Sequence, residues 1–236
     1  MQHKKGHYSS TIILPTLNEA GNIKHIISEL LERFPGSYVI VADDGSVDGT
    51  GKIVGKISKT EKRVIFLDRK DEREHGLTAS VIDAVLIAKG DKIVVMDADL
   101  QHPVSKVNDL FSGLEDSDIV IGVRRSVKNW SFGRMVISRC MESAARCYFR
   151  IRGRRTCGDM MSGFFAVRSG VFKMIVLENR EKFVGRGYKI LLDILRLSPS
   201  GIKISEVRYS AFHMRKMGRS KLGFRHVIYT LASLFS

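Results

Sequence analysis

Residues 94–103 read Val-Val-Met-Asp-Ala-Asp-Leu-Gln-His-Pro, an apolar run that enters two aspartates one residue apart, with Gln101 at the same interval beyond them. Alternate side chains of a strand share a face, so Asp97, Asp99 and Gln101 at a strand's carboxyl end can present oxygen atoms to one side. Hard divalent cations take oxygen ligands, and in phosphate sites Mg2+ is commonly held by one or two carboxylates while the substrate's phosphates complete the shell. The spacing points to a metal-held diphosphate; the plainer alternative is a polar strand end entering a solvated loop, because Asp-x-Asp often arises by chance. A second acidic segment, Asp43-Asp44-Gly45-Ser46-Val47-Asp48-Gly49-Thr50, follows an apolar run and precedes a helical pattern. Gly45 permits a tight turn there, and Ser46 or Asp48 can cap the following helix, so turn chemistry accounts for most of the segment. Asp44, just past the strand, is placed to accept hydrogen bonds from ribose hydroxyls or base N–H groups.

The elements that must hold these acids alternate. Thr11–Leu14 reads as a strand, and Asn22 can cap a helix with Ile23, Ile26, Ile27, Leu30 and Leu31 on one stripe. Tyr38–Ala42 and Val64–Leu67 are further strands, separated by a helical segment from about Gly49 to Ser58. Thr78–Ala88 forms a helix with Val81, Ile82, Val85 and Leu86 inward, and Lys92–Met96 a fourth strand. Strands alternating with helices imply a doubly wound α/β fold whose parallel sheet carries helices on both faces. Ligands of such sheets sit beyond the strands' carboxyl ends. Asn18–Glu19, Asp43–Asp48 and Asp97–Gln101 fall at three of those ends. Later strands are expected at Ile119–Gly122, within Met161–Arg168 and within residues 202–212, with a buried helix over Tyr188–Leu197.

The chain has 236 residues, 44% of them hydrophobic, enough for one large domain with a true core. Its 39 Lys+Arg against 25 Asp+Glu give a formal charge of +14, which favours an anionic partner: nucleic acid, a membrane surface or a phosphorylated substrate. Nine arginines lie between residues 124 and 155, interleaved with Trp130, Phe132, Met135, Ile137, Met141, Tyr148 and Phe149. A basic amphipathic stretch of this kind suits a membrane surface or a polyanion. Cys140, Cys147 and Cys157 are too few for a disulfide framework and read as small buried hydrophobes in a reduced, cytosolic setting. The seven histidines lack zinc-site spacing and read mostly as surface groups. Neither a secretion signal nor an apolar run of the roughly 20 residues needed to cross a bilayer is visible. Membrane contact would then be peripheral, or supplied by an anchoring partner subunit. The apolar positions of Lys221–Ser236 can pack on the core or lie on a membrane surface.

Five segments occur in a telling order: Pro15-Thr16-Leu17-Asn18-Glu19, the acidic segment at 43–50, Asp97-Ala98-Asp99-Leu100-Gln101-His102-Pro103, Ser162-Gly163-Phe164 and Gly218-Arg219-Ser220-Lys221-Leu222. Together they resemble the inverting nucleotide-sugar glycosyltransferases of GT-A fold, and within these the polyprenol (dolichol) phosphate mannose synthases. The resemblance covers nearly the whole chain. It implies one GT-A domain over 1–236: a Rossmann-like, mostly parallel sheet with a nucleotide-binding half at about 8–123 and an acceptor and interface half at about 124–236. It implies that Pro15, Leu17 and Glu19 line the nucleotide pocket, that Asp44 with the backbone near Ala42 holds the nucleoside, and that Asp97, Ala98, Asp99 and Gln101 hold the diphosphate and Mg2+ or Mn2+. Arg124 matches a donor-site arginine, Arg215 with Lys221 a basic pair on a loop that closes on the phosphates, and Arg134 with Ser138 groups that bind the acceptor's phosphate. Three positions depart from the family pattern: Leu17 replaces a common aromatic, Gly76-Leu77-Thr78-Ala79 is a shortened glycine-richer motif, and Arg208 stands where proline is usual.

The resemblance implies transfer of mannose from GDP-mannose to a polyprenyl or dolichyl phosphate, with inversion, at the cytoplasmic membrane face. Asp99, Arg124, Arg215 and Lys221 would carry the chemistry. UDP-glucose is the alternative donor, because the sequence does not read the sugar's hydroxyls. Nucleic-acid binding is the alternative of another class, but the basic residues carry no helix-turn-helix, RNA-recognition or zinc-finger signature.

Overall fold

The computed structural model describes residues 9–124, 142–143, 145–154, 156–184 and 189–210. Seven strands form one sheet: β1 (Ser10–Thr16), β2 (Ser37–Asp43), β3 (Val64–Asp68), β4 (Lys92–Val95), β5 (Ile119–Arg124), β6 (Phe165–Arg168) and β7 (Ile204–Tyr209). Their order is β3-β2-β1-β4-β6-β5-β7, and β6 runs antiparallel to both of its neighbours while the other pairs are parallel. Each expected strand is present within a few residues of its sequence boundaries.

The central strands β1, β2 and β4 are buried on both faces, as a sheet covered by helices on both sides requires. Ile13, Ile40, Ile93 and Val95 enter one buried cluster, and Ile12, Leu14, Val39, Val41 and Val94 the other. Helices α1 (Ile23–Arg33) and α4 (Val107–Gly113) cover the second face. Helices α3 (Leu77–Ile87), α6 (Ser169–Glu178) and α7 (Ile190–Leu197) cover the first, joined by α5 at residues 145–151. Helix α1 buries Ile23, Ile26, Ile27 and Leu30, an i, i+3, i+4, i+7 stripe. Helix α2 (Thr50–Thr60) buries Thr50 and Val54. Leu86, expected inward, is 38% exposed, on the outer side of a last turn whose Ala84 and Val85 are fully buried.

The chain order β1, β2, β3 leads one way across the sheet, and β4 returns to the other side of β1. That reversal is the topological switch point at which open α/β sheets bind ligands. The carboxyl ends of β2, β1 and β4 stand side by side there, and each leads into one of the polar segments singled out above.

Candidate functional site

The loops after β1 and β2 are sewn together by side chains. Asp43, 2% exposed, accepts hydrogen bonds from the Thr16 hydroxyl (3.0 Å), the Ser46 amide (3.0 Å) and the Ser46 hydroxyl. Across the gap, the Asn18 amide donates to Ser46 Oγ (2.7 Å), Glu19 to Thr50 Oγ1 (2.8 Å) and Ala20 to Asp48 Oδ2 (2.9 Å), while Val47 returns a bond to Asn18 Oδ1 (2.8 Å). Asn18 holds a left-handed φ of 55° to make this turn, a conformation asparagine tolerates better than most residues. Asp48 also accepts from the amide and hydroxyl of Thr50 at the start of α2, but the N-cap position is Gly49 and neither Ser46 nor Asp48 caps the helix as expected. Asn22 stands at the start of α1 without making a side-chain cap; its side-chain Nδ2 donates to Glu19 Oε2 at 2.8 Å. In this frame Pro15 and Ala42 are buried and Leu17 is 43% exposed.

Asp44 sits at the same edge, with both oxygens engaged. Oδ1 meets Arg69 Nη1 at 3.3 Å and His75 Nδ1 at 3.0 Å, and Oδ2 accepts from the Gly76 amide at 2.7 Å. A carboxylate has about four lone-pair sites, so this set leaves acceptor capacity for a ligand hydroxyl or N–H. Arg69, 1% exposed, donates also to Asp83 Oδ2 (3.1 Å) and the Glu74 carbonyl (2.6 Å). Nothing in its charged surroundings, Asp68 to Glu74, marks it as the buried member.

Strand β4 ends at Val95, so Asp97–Gln101 lies in the loop beyond it and strand alternation does not orient these side chains. A turn replaces it: Leu100 has φ 62°, and the Gln101 amide donates to Asp99 Oδ1 at 3.2 Å. Asp99 is 8% exposed; the side chain of Asp97 is 39% exposed. Gly163 lies directly against Asp97, where a Cβ would stand 2.7 Å from Oδ2. The backbone there is fixed by Ser162, whose buried hydroxyl donates to the Gly122 carbonyl at 2.7 Å and is near that of Phe164 at 3.2 Å.

Three basic groups face Asp97. His102 Nε2 is 3.2 Å from Oδ2, and Lys189 and Arg124 add positive potential. Burial by itself would raise the Asp97 pKa, but the His102 hydrogen bond and these charges outweigh it and hold the carboxyl below its ordinary range. Lys189 donates to the Met161 carbonyl at 2.7 Å. Arg124 Nε donates to Asp159 Oδ2 at 3.2 Å; its burial costs are outweighed by Asp159, Tyr209 and Asp97, and its pKa is raised.

His102 corrects the surface reading of the histidines: it is 6% exposed, stacked on Phe164 and bonded to Tyr209 as well as Asp97. Cys157 is buried as expected, and burial with the nearby Glu206 charge pushes its thiol up to about 12. Cys147, by contrast, is exposed on α5. Arg134, Ser138, Arg215 and Lys221 lie outside the described residues, as do Cys140 and most of the basic amphipathic stretch. Among the described residues no three His, Cys, Asp or Glu side chains converge as metal ligands. Two carboxylates beside Gln101 are nevertheless the hard-oxygen set that suits a cation whose remaining ligands are phosphate and water.

A glycosyl transferase family 2 model matches residues 11–176, which include all of β1 but its first residue, both acidic segments and Ser162-Gly163. The chain belongs to that family. Among family relatives it is 35% identical over 220 residues to a dolichol-phosphate mannosyltransferase of Pyrococcus furiosus, covering 90% of this chain and 58% of that one. It is 32% identical over 238 residues to the dolichol-phosphate mannosyltransferase of Saccharomyces cerevisiae (95% and 85% covered). It is 31% identical over 218 residues to an undecaprenyl-phosphate mannosyltransferase of Micrococcus luteus (89% and 86%). A crystal structure of glucosyl-3-phosphoglycerate synthase from Mycobacterium tuberculosis with Mn2+, UDP-glucose and glycerol 3-phosphate shares the fold at TM-score 0.67 and 22% identity, over 98% of this chain and 81% of that one. The protein is therefore a glycosyltransferase with a GT-A-like sheet, and its polar loops occupy the ligand-binding edge of that sheet.

Proposed function

We propose that this family 2 glycosyltransferase moves mannose from GDP-mannose to a polyprenyl phosphate of the dolichyl type, inverting the anomeric centre. The observation that carries the reading is the row of acids at the β2-β1-β4 edge, Asp44 at one end and Asp97–Asp99 at the other, in a chain that aligns along most of its length with mannosyltransferases of lipid phosphates. Pro15, Leu17, Glu19, Ala42 and Asp44 form the nucleoside end of the donor site. Asp97, Asp99 and Gln101 would hold Mg2+ or Mn2+; Ala98 between them turns its side chain into the core, so only its backbone would be offered to the diphosphate. Bound there, the cation would neutralise charge on the departing diphosphate.

The rest of the work falls to the chain. A lipid monophosphate has a second pKa of about 6 and is already an anionic nucleophile near neutral pH, so no dedicated base is required. One of its oxygens attacks C1 of the sugar as the bond from C1 to the diphosphate oxygen breaks, and the nucleoside diphosphate leaves with that electron pair. Arg124, steadied by Asp159, supplies positive charge on the leaving-group side. Arg215 and Lys221 are proposed to add to it, and Arg134 with Ser138 to receive the acceptor's phosphate. No helix among the described residues is long and apolar enough to cross a membrane. The basic aromatic stretch after Arg124 would hold the enzyme at the cytoplasmic face, alone or with an anchoring partner subunit.

A glucosyl reading has its own support, since the structural relative with TM-score 0.67 was solved with UDP-glucose. Transfer of labelled sugar to polyprenyl phosphate, from GDP-mannose or UDP-glucose, with and without chelator, decides between them. Mannose transfer that vanishes with chelator and in Asp99→Ala is expected. Glucose transfer alone would replace the donor assignment, and full activity under chelation would remove the metal.

A further inference from the structure

Asp97 is held by more than its own loop. His102 reaches it from five residues along, and the other ring nitrogen of His102, Nδ1, lies 2.8 Å from the hydroxyl of Tyr209, 107 residues away at the end of β7. The imidazole is fixed in plane as well. It stacks on Phe164 with centroids 5.1 Å apart and planes 19° from parallel, and Tyr209 meets Phe164 edge-on at 5.4 Å. His102 and Tyr209 are 6% and 2% exposed, so the bond between them is shielded from water. A carboxylate oxygen accepts, so Nε2 carries the proton toward Asp97 and Nδ1 is left as an acceptor. Burial raises the Tyr209 pKa and keeps its hydroxyl protonated, able to donate to Nδ1.

We propose that His102 and Tyr209 are positioning residues for the cation and donor site: Tyr209 fixes the His102 tautomer, and His102 fixes the orientation of Asp97. The proposal rests on the reading of Asp97 and Asp99 as cation-holding groups. Carboxylate Oδ2 is then committed to the imidazole, in space that only a residue without a side chain at position 163 leaves open. Partners that orient a ligand in this way typically change metal affinity about 10- to 100-fold when removed. Phe164, packed against both rings, makes the relay rigid without adding a polar group.

The test is the affinity for Mn2+, read from the electron-paramagnetic signal of the free ion, with saturating GDP and in parallel UDP. Tyr209→Phe deletes one oxygen and keeps the ring packing; it should weaken Mn2+ several-fold with little change in melting temperature. His102→Ala should weaken it about 10- to 100-fold. His102→Gln retains an N–H able to face Asp97 and should recover most of the loss, which a role in packing alone would not produce. If His102→Ala does not fold, Tyr209→Phe decides. Wild-type Mn2+ affinity in Tyr209→Phe overturns the relay while leaving the cation site intact. Absence of Mn2+ binding by the wild-type protein with either nucleotide overturns the cation reading and the relay together.

Discussion

Gly163 and Asp97 touch: a Cβ added to the glycine would lie 2.7 Å from Asp97 Oδ2 and 3.0 Å from Oδ1. Real side chains do not approach so closely, so Gly163→Ala must push the carboxylate away and with it the 3.2 Å bond to His102. The expected result is a fall in kcat/KM for sugar transfer of about tenfold or more, equivalent to roughly 1.4 kcal/mol of lost transition-state stabilisation. Steady-state kinetics beside a thermal melt separates this from unfolding. Full activity in a folded Gly163→Ala protein would show that Asp97 does not act from this position.

Arg69 ties Asp44, at the proposed nucleoside end of the site, to α3. It bridges Asp44 and Asp83, and Asp83 in turn takes Arg180 Nη2 at 2.9 Å. Removing one partner of a buried ion pair strands the other, at a cost of about 3–5 kcal/mol. Arg69→Met should therefore lower the urea midpoint by that order and, by releasing Asp44, raise the donor KM in whatever fraction remains folded. Arg180→Met, at the exposed end of the same chain of charges, should change stability by less than about 1 kcal/mol. Equal effects from the two variants would mean that burial does not set the strength of this network.

The contrast between these groups shows what the sequence made legible. Strands β1, β2 and β4 announce themselves because a sheet covered on both faces demands continuous apolar runs, and polar residues stop those runs at the ligand-binding edge. The placement of Asp44, Asp97 and Asp99 at that edge follows from their position after the apolar runs. Arg69 is not, because it stands in an alternating charged segment and its partners Asp44 and Asp83 are 25 and 14 residues away. His102 belongs to the recognised segment, yet its burial depends on Phe164 and Tyr209, which only the folded sheet brings to it. The expectation that Asp97, Asp99 and Gln101 share a strand face failed for a local reason: the strand ends two residues before Asp97, and Leu100 turns the chain in a left-handed conformation.

Asp43 gives a third expectation. Its two oxygens accept from three donors, Thr16 Oγ1, Ser46 N and Ser46 Oγ, and so hold the β1 and β2 loops together. Each such bond is worth about 1 kcal/mol net, and leaving its buried donor unmatched costs more, so Asp43→Ala should lose about 2–4 kcal/mol. Asp43→Asn should recover little, because both oxygens serve as acceptors and an amide NH2 would face a donor whichever way it is turned. Urea denaturation measures the loss, and a raised donor KM in the folded fraction reports the loosened loop. A fully stable Asp43→Asn would mean that the Ser46 and Thr16 hydroxyls can reverse their bonds at no cost.

Asp193, 2% exposed on α7, gives a pH dependence whose sign can be worked out. Burial raises its pKa from 3.8 to about 7, against the opposing pull of Arg196, whose Nη2 lies 3.4 Å away. Between those two values the folded protein holds a proton that the unfolded chain has released, so stability falls as pH rises from about 4 to about 7 and is level above that. Asp193→Asn has no proton to lose. Its stability relative to wild type should therefore rise between pH 5 and pH 8 by on the order of 1–3 kcal/mol, measured by urea unfolding at both pH values. Any constant cost of the amide beside Arg196 cancels in that comparison, because wild-type Asp193 is also neutral at the lower pH. A difference that does not change with pH would mean that the Arg196 guanidinium keeps the carboxylate ionised throughout, the ion pair overcoming its own burial.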